Sequence, residues 1–188
     1  MGLGQMILSV AAVFLLGIII FSANSTLLQN DDIVKDSEFG VAAISLATSL
    51  VEEVQGKAFD EAATDSGVVN QILLTPPAKL GPDASEIYRT TDTLFQDFDD
   101  IDDFNNFSIE YVSNTSKPKV ATYRGDAKGF RADYFVSARI MYVVATNGVA
   151  VLNLPSALPT WHKKLIVTVT SPTSKDTLVF PTVLSYWN

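Results

Sequence analysis

No charged side chain occurs before Asp31, and from Leu3 to Ala23 the only polar interruptions are Gln5, Ser9 and Ser22. A helix of about 21 residues spans roughly 31 Å, close to one hydrocarbon thickness. The run contains about a dozen Leu, Ile, Val and Phe residues, each favouring the bilayer centre by roughly 0.3–0.6 kcal/mol. Such a segment must leave water, into lipid or against other apolar helices. A cleaved secretory signal has a basic start and a shorter apolar stretch. Here no Lys or Arg precedes Lys35, so the run reads as a retained part of the working structure.

The rhythm continues beyond the apolar run. Proline is absent until Pro76, and Leu27, Ile33 or Val34, Val41, Ile44, Thr48, Val51 and Val54 recur at threes and fours. Residues 3 to about 56 therefore read as one helix, apolar all round at first and amphipathic later. Ser22, Asn24, Ser25 and Thr26 are poor helix formers at the junction and are expected to loosen or bend it. Gly56 is the expected stop.

The remainder reads as a loop region followed by strands. TPPAKLGPDAS (75–85) holds three prolines and a glycine and reads as a surface connection. Between Asp83 and Asp103 lie eight of the 21 acidic residues against one arginine, Arg89. Asp97, Asp99, Asp100, Asp102 and Asp103 offer oxygens of the kind calcium takes. However, Ile101 and Phe104 break the alternation of an EF-hand loop, and its turn glycine is missing. The preferred reading is a solvated loop edge with Phe95, Phe98, Ile101 and Phe104 packed inward. Period-two patterns mark strands at Phe107–Val112 and Tyr134–Val144, with Asn147-Gly148 as a hairpin turn. Leu165–Thr170 and Leu178–Leu184, joined by SPTSKD, read as a hairpin, and Pro181 points to an edge position or a bulge. GDAKG (125–129) reads as a loop.

Charge and composition exclude several functions. A net charge of -8 offers no basic stripe for nucleic acid. With no cysteine and one histidine, His162, neither thiol chemistry nor a zinc or iron site is expected. No catalytic constellation surrounds His162, which reads as a surface or loop residue, and the chain is not expected to be an enzyme.

The layout resembles the type IV pilins and related prepilin-like proteins. Four stretches carry the resemblance: the N-terminal run, VEEVQGKAFDEA (51–62), DFDDIDDFNNFS (97–108) and WHKKLIVTVTSPTSKDTLVFPTVLSYW (161–187). The third contains a phrase of the form DxDDFNxxS, and in the fourth a lysine precedes VTVTSP. The chain departs from the family's pattern in showing no basic leader and in placing Gln5 where a glutamate is usual. A carboxylate there can neutralise a neighbour's N-terminal ammonium inside an apolar bundle, whereas Gln5 offers only hydrogen bonds.

The resemblance implies an α+β fold: a long N-terminal helix whose second half packs on an antiparallel sheet head. The apolar helix would occupy residues 1–25 and the head 26–188, divided into amphipathic helix (26–56), loop region (57–105) and sheet (106–188). It implies a subunit that inserts into the inner membrane and then assembles, with the pilus assembly machinery, into a homo-oligomeric helical filament at the cell surface. Gln5, Leu8, Ala12, Val13, Leu16, Gly17 and Ile20 would form the assembly interface. A secretion-type pseudopilin, or a binding module on a single-pass anchor, are the alternatives. No cofactor is implied, with calcium at the aspartates as the one exception weighed.

Overall fold

The computed structural model describes residues 2–65, 67–83, 86, 98–112, 123–126, 132–146, 149–172, 174 and 176–186. Phe95 and Asp97 lie outside the described residues. The fold is α+β, pilin-like in layout: one long helix, α1 (Leu3–Gln55), precedes a largely antiparallel sheet with six strands among the described residues. The strands are β1 (Ser108–Val112), β2 (Tyr123–Asp126), β3 (Tyr134–Thr146), β4 (Val149–Pro155), β5 (His162–Thr170) and β6 (Thr177–Ser185). The chain forms two compact units, residues 1–40 and 41–188.

In the first unit α1 runs unbroken through the Ser22–Thr26 junction, contrary to the expected loosening. Its hydroxyls bond back onto the helix, Ser9 Oγ to the Gln5 carbonyl and Thr26 Oγ1 to that of Ser22, at 2.9 and 3.0 Å. These residues thus satisfy their polar groups without opening a competing turn. Every side chain from Leu3 to Asn24 is exposed.

In the second unit the end of α1 buries Ala43, Leu46, Ala47, Leu50, Val51 and Val54, a stripe at helical spacing. Val41 and Ile44, expected on that stripe, are instead 72% and 52% exposed. They sit on a second apolar face of the same turns. The helix closes at Gly56, whose N–H reaches the Glu52 and Glu53 carbonyls at 3.2 Å.

The sheet runs β2-β1-β3-β5-β6, with β4 on the far end of β3. β3 is the spine, pairing antiparallel with β1, β5 and β4, while β5 pairs antiparallel with β6. β2 runs parallel to β1, so Gly125 and Asp126, read as loop, belong to a strand. β6 is an edge strand, which is where Pro181 costs least, since its missing N–H breaks no inner ladder. Alternation sends Val136, Ala138, Ile140 and Tyr142 of β3 inward, facing Val169, Val167, Leu165 and Lys163 of β5 across the ladder. The inward row of β5 therefore ends on a lysine.

Candidate functional site

The buried lysine gathers the rest of the site. Lys163 is fully buried, as is Asp60, and Asp102 is 2% exposed. The Lys163 ammonium has three protons and three acceptors: the Phe59 carbonyl at 2.6 Å, Asp60 Oδ2 at 2.8 Å and Asp102 Oδ1 at 2.5 Å. The rings of Phe59 and Tyr142 lie 4.7 and 5.3 Å from Nζ, within cation–π range. Burial at this depth is tolerable only because every proton is used and two carboxylates face the charge.

Local backbone structure brings these groups together. Ala58 and Asp100 form an isolated parallel bridge: Ala58 N–H donates to the Asp99 carbonyl and Ile101 N–H to the Ala58 carbonyl. That bridge aligns the segment after α1 with the acidic segment, setting Asp60 and Asp102 on either side of Lys163. Asp60 caps a short 3-10 turn, Glu61–Ala63, accepting from Ala62 N–H. It also accepts from the backbone N–H and hydroxyl of Thr75, and from Tyr142 Oη at 2.9 Å. The Tyr142 hydroxyl is also 2.9 Å from the Thr75 carbonyl. Thr75, read as part of a surface connection, is thus half-buried against the centre of the head.

The DxDDFNxxS phrase builds the other wall. Asp100 Oδ1 accepts from Asp102 and Asp103 N–H, and Asp103 Oδ2 accepts from Asp99 and Asp100 N–H. Phe104 is fully buried, and its ring meets those of Phe98 and Phe107 edge-on. Asn105 bridges outward: its Nδ2 donates to the Leu80 carbonyl and its Oδ1 accepts from Ile140 N–H on β3. Ser108 opens β1.

The expected solvated edge is therefore corrected. Asp100, Asp102 and Asp103 are 1%, 2% and 4% exposed, because they cap backbone amides and hold a cation, and Phe98, Ile101 and Phe104 pack inward as read. Asp99 remains exposed. Among the described calcium candidates, the oxygens of Asp100, Asp102 and Asp103 face protein donors rather than a common centre. Asp99 instead converges with Glu61 and Glu86, each offering one carboxylate oxygen within 4.8 Å of the others. Burial together with the charges of Asp99, Glu86 and Asp83 raises the Glu61 carboxyl above its usual range.

The two carboxylates on Lys163 are driven apart. Burial pushes Asp60 up, but the Lys163 charge and the hydrogen bonds from Lys163, Thr75 and Tyr142 outweigh it and hold the group low. Burial wins at Asp102, which stays raised despite Lys163, with the Asp60 charge adding to the effect. Asp100 is pushed up to about 9, by burial first and then by Asp102 and Asp103. Asp103 is raised to about 7, where burial and Glu86 exceed the backbone bonds from Asp99 and Asp100. Burial thus favours the protonated form of Asp100, whose side chain is hydrogen-bonded to that of Asp102.

The assembly candidates Gln5, Leu8, Ala12, Val13, Leu16, Gly17 and Ile20 all lie on the exposed first part of α1. His162 begins β5, half-buried, with Nδ1 2.8 Å from Ser185 Oγ. Comparisons with protein families, curated proteins and solved structures find no match. Sequence reasoning missed Lys163, Asp60 and Tyr142. The alternation of Lys163 with Leu165, Val167 and Val169 was the available signal, since it places a cation on an inward row.

Proposed function

We propose that this chain is a structural subunit that inserts into a membrane through Leu3–Ala23 and then polymerises through the same helix into a surface filament. The observation that carries this reading is an apolar helix whose residues 3–24 are all exposed. Its most apolar 18-residue window has a mean hydropathy of 2.7 and no buried residue. An apolar surface of that size demands cover. Lipid alone leaves the small residues unexplained. Among the described residues, nothing beyond their own helical turn lies within 4 Å of where a Cβ would stand at Gly4 and Gly17, yet glycine in a helix costs about 1 kcal/mol relative to alanine. Close approach of neighbouring helices offsets that cost, as in membrane bundles rich in small residues.

The test is electron microscopy of sheared surface material, with the subunit identified by peptide mass spectrometry. Filaments containing residues 3–23 support the proposal. Polymer confined to the envelope fraction would favour a secretion-type pseudopilin. Subunits found only singly in membrane would leave an anchored binding module.

A further inference from the structure

We infer that the Lys163 amine and the Asp102 carboxyl are placed to condense into an internal isopeptide bond, with Asp60 moving the protons. The argument starts from proximity. Nζ and Asp102 Oδ1 are 2.5 Å apart, and packing on both sides holds them there, so the reaction is unimolecular with its entropy cost already met by folding. Phe59 and Tyr142 lie against the amine and none of Lys163 reaches solvent. Excluding water removes the competitor that would reverse the amide.

The two carboxylates cannot exchange roles. Asp60 accepts four further hydrogen bonds, from Ala62 N–H, Thr75 N–H, Thr75 Oγ1 and Tyr142 Oη, which hold the anion 2.8 Å from Nζ, placed to take its proton. Asp102 takes Lys163 on Oδ1 and a side-chain hydrogen bond from Asp100. That bond draws electron density from Cγ and makes Asp102 the electrophile. In the reaction the ammonium gives a proton to Asp60, and the freed Nζ pair attacks Asp102 Cγ. A new C–N bond forms as one C–O bond breaks. The departing oxygen collects two protons, both from Nζ by way of Asp60, and leaves as water. Asp60 and Asp100 end as they began, and no oxidant or outside reagent is needed. The bond would tie β5 to a segment 61 residues earlier.

The test is intact-mass spectrometry of the full chain, folded in detergent, held at neutral pH and then denatured. The expected mass is one water below that of the sequence. Proteolysis should then yield a branched peptide joining Lys163 to Asp102. Asp102→Ala and Lys163→Met should carry the full sequence mass. Asp60→Asn, folded by circular dichroism, should form the bond at least tenfold more slowly. A wild-type chain at full sequence mass overturns the inference whatever the variants do. So does a one-water loss without a branched peptide, which would be a succinimide, or a branch at Asp60 in place of Asp102.

Discussion

Tyr142→Phe isolates one hydrogen bond at the centre of the head. The ring stays, so the inward row of β3 keeps its volume and its place over Lys163. What is lost is a hydroxyl 2.9 Å from both Asp60 Oδ2 and the Thr75 carbonyl. Hydrogen bonds to charged groups are worth about 1.5–3 kcal/mol, and a buried acceptor left without a donor costs a similar amount. Because one proton serves two acceptors, the two effects overlap, and the expected loss is about 1.5–3 kcal/mol. For a chain of this length that corresponds to a fall in Tm of about 3–12 °C.

The change also carries a pH signature. Burial raises Asp60, but Lys163, Thr75 and Tyr142 together hold it below the usual carboxylate range. A lowered group contributes stability above its unfolded pKa, and that contribution is lost as pH falls through the folded value. Without the tyrosine proton Asp60 titrates higher, so the gap between wild type and variant should narrow below about pH 4. The assay is thermal and denaturant unfolding of both chains in the same detergent, followed by the sheet signal. A loss under about 0.5 kcal/mol at neutral pH, the size of an ordinary surface change, would refute the claim that this hydroxyl supports the buried ion cluster.

Three further outcomes follow from the same packing. Lys163→Met leaves Asp60 and Asp102 buried without their cation, or without the bond to Lys163 where it has formed, and should cost at least ~3 kcal/mol in the same unfolding assay; a smaller loss would mean that water reaches the site. Asp100 at about 9 and Asp103 at about 7 are raised, so the stability they confer is present below about pH 4 and lost as pH rises through 7 and 9. Unfolding free energy should therefore decline from mildly acid to alkaline pH, less steeply in Asp100→Asn, and a steady rise from pH 5 to 9 would contradict those shifts. Ala47→Leu overfills the buried face of α1 and should cost about 1–3 kcal/mol, whereas Ile44→Ala on the outer face should change the unassembled chain by no more than ~0.5 kcal/mol.

The contrast between Ala47 and Ile44 marks where sequence reasoning runs out. The helix and its end at Gly56 were readable because no proline interrupts residues 3–55 and the apolar run is long. Which face is buried was not, because two apolar stripes share the later turns and periodicity cannot say which one the head covers. β3, β5 and β6 were readable from alternation. β2 was not, because a short parallel strand containing Gly125 has no pattern of its own. The acidic segment misled for a physical reason: aspartates cluster on wet edges unless something buried needs them. That something is Lys163, some 60 residues away, and the contact depends on register in β5 and on the Ala58–Asp100 bridge, which no local pattern encodes.

The central claim is that residues 3–23 serve as a polymer core, and Val13→Asp tests it most directly. Val13 is 70% exposed in the isolated chain, so the substitution leaves the subunit's own packing untouched. In a filament the same carboxylate would recur in every copy, unpaired in an apolar bundle, at several kcal/mol each. The measurement is filament yield in sheared surface fractions, normalised to membrane-inserted subunit. The account predicts no filament from Val13→Asp at equal insertion, with wild-type yield from the volume-conserving Ile19→Leu. Wild-type yield from Val13→Asp would contradict it.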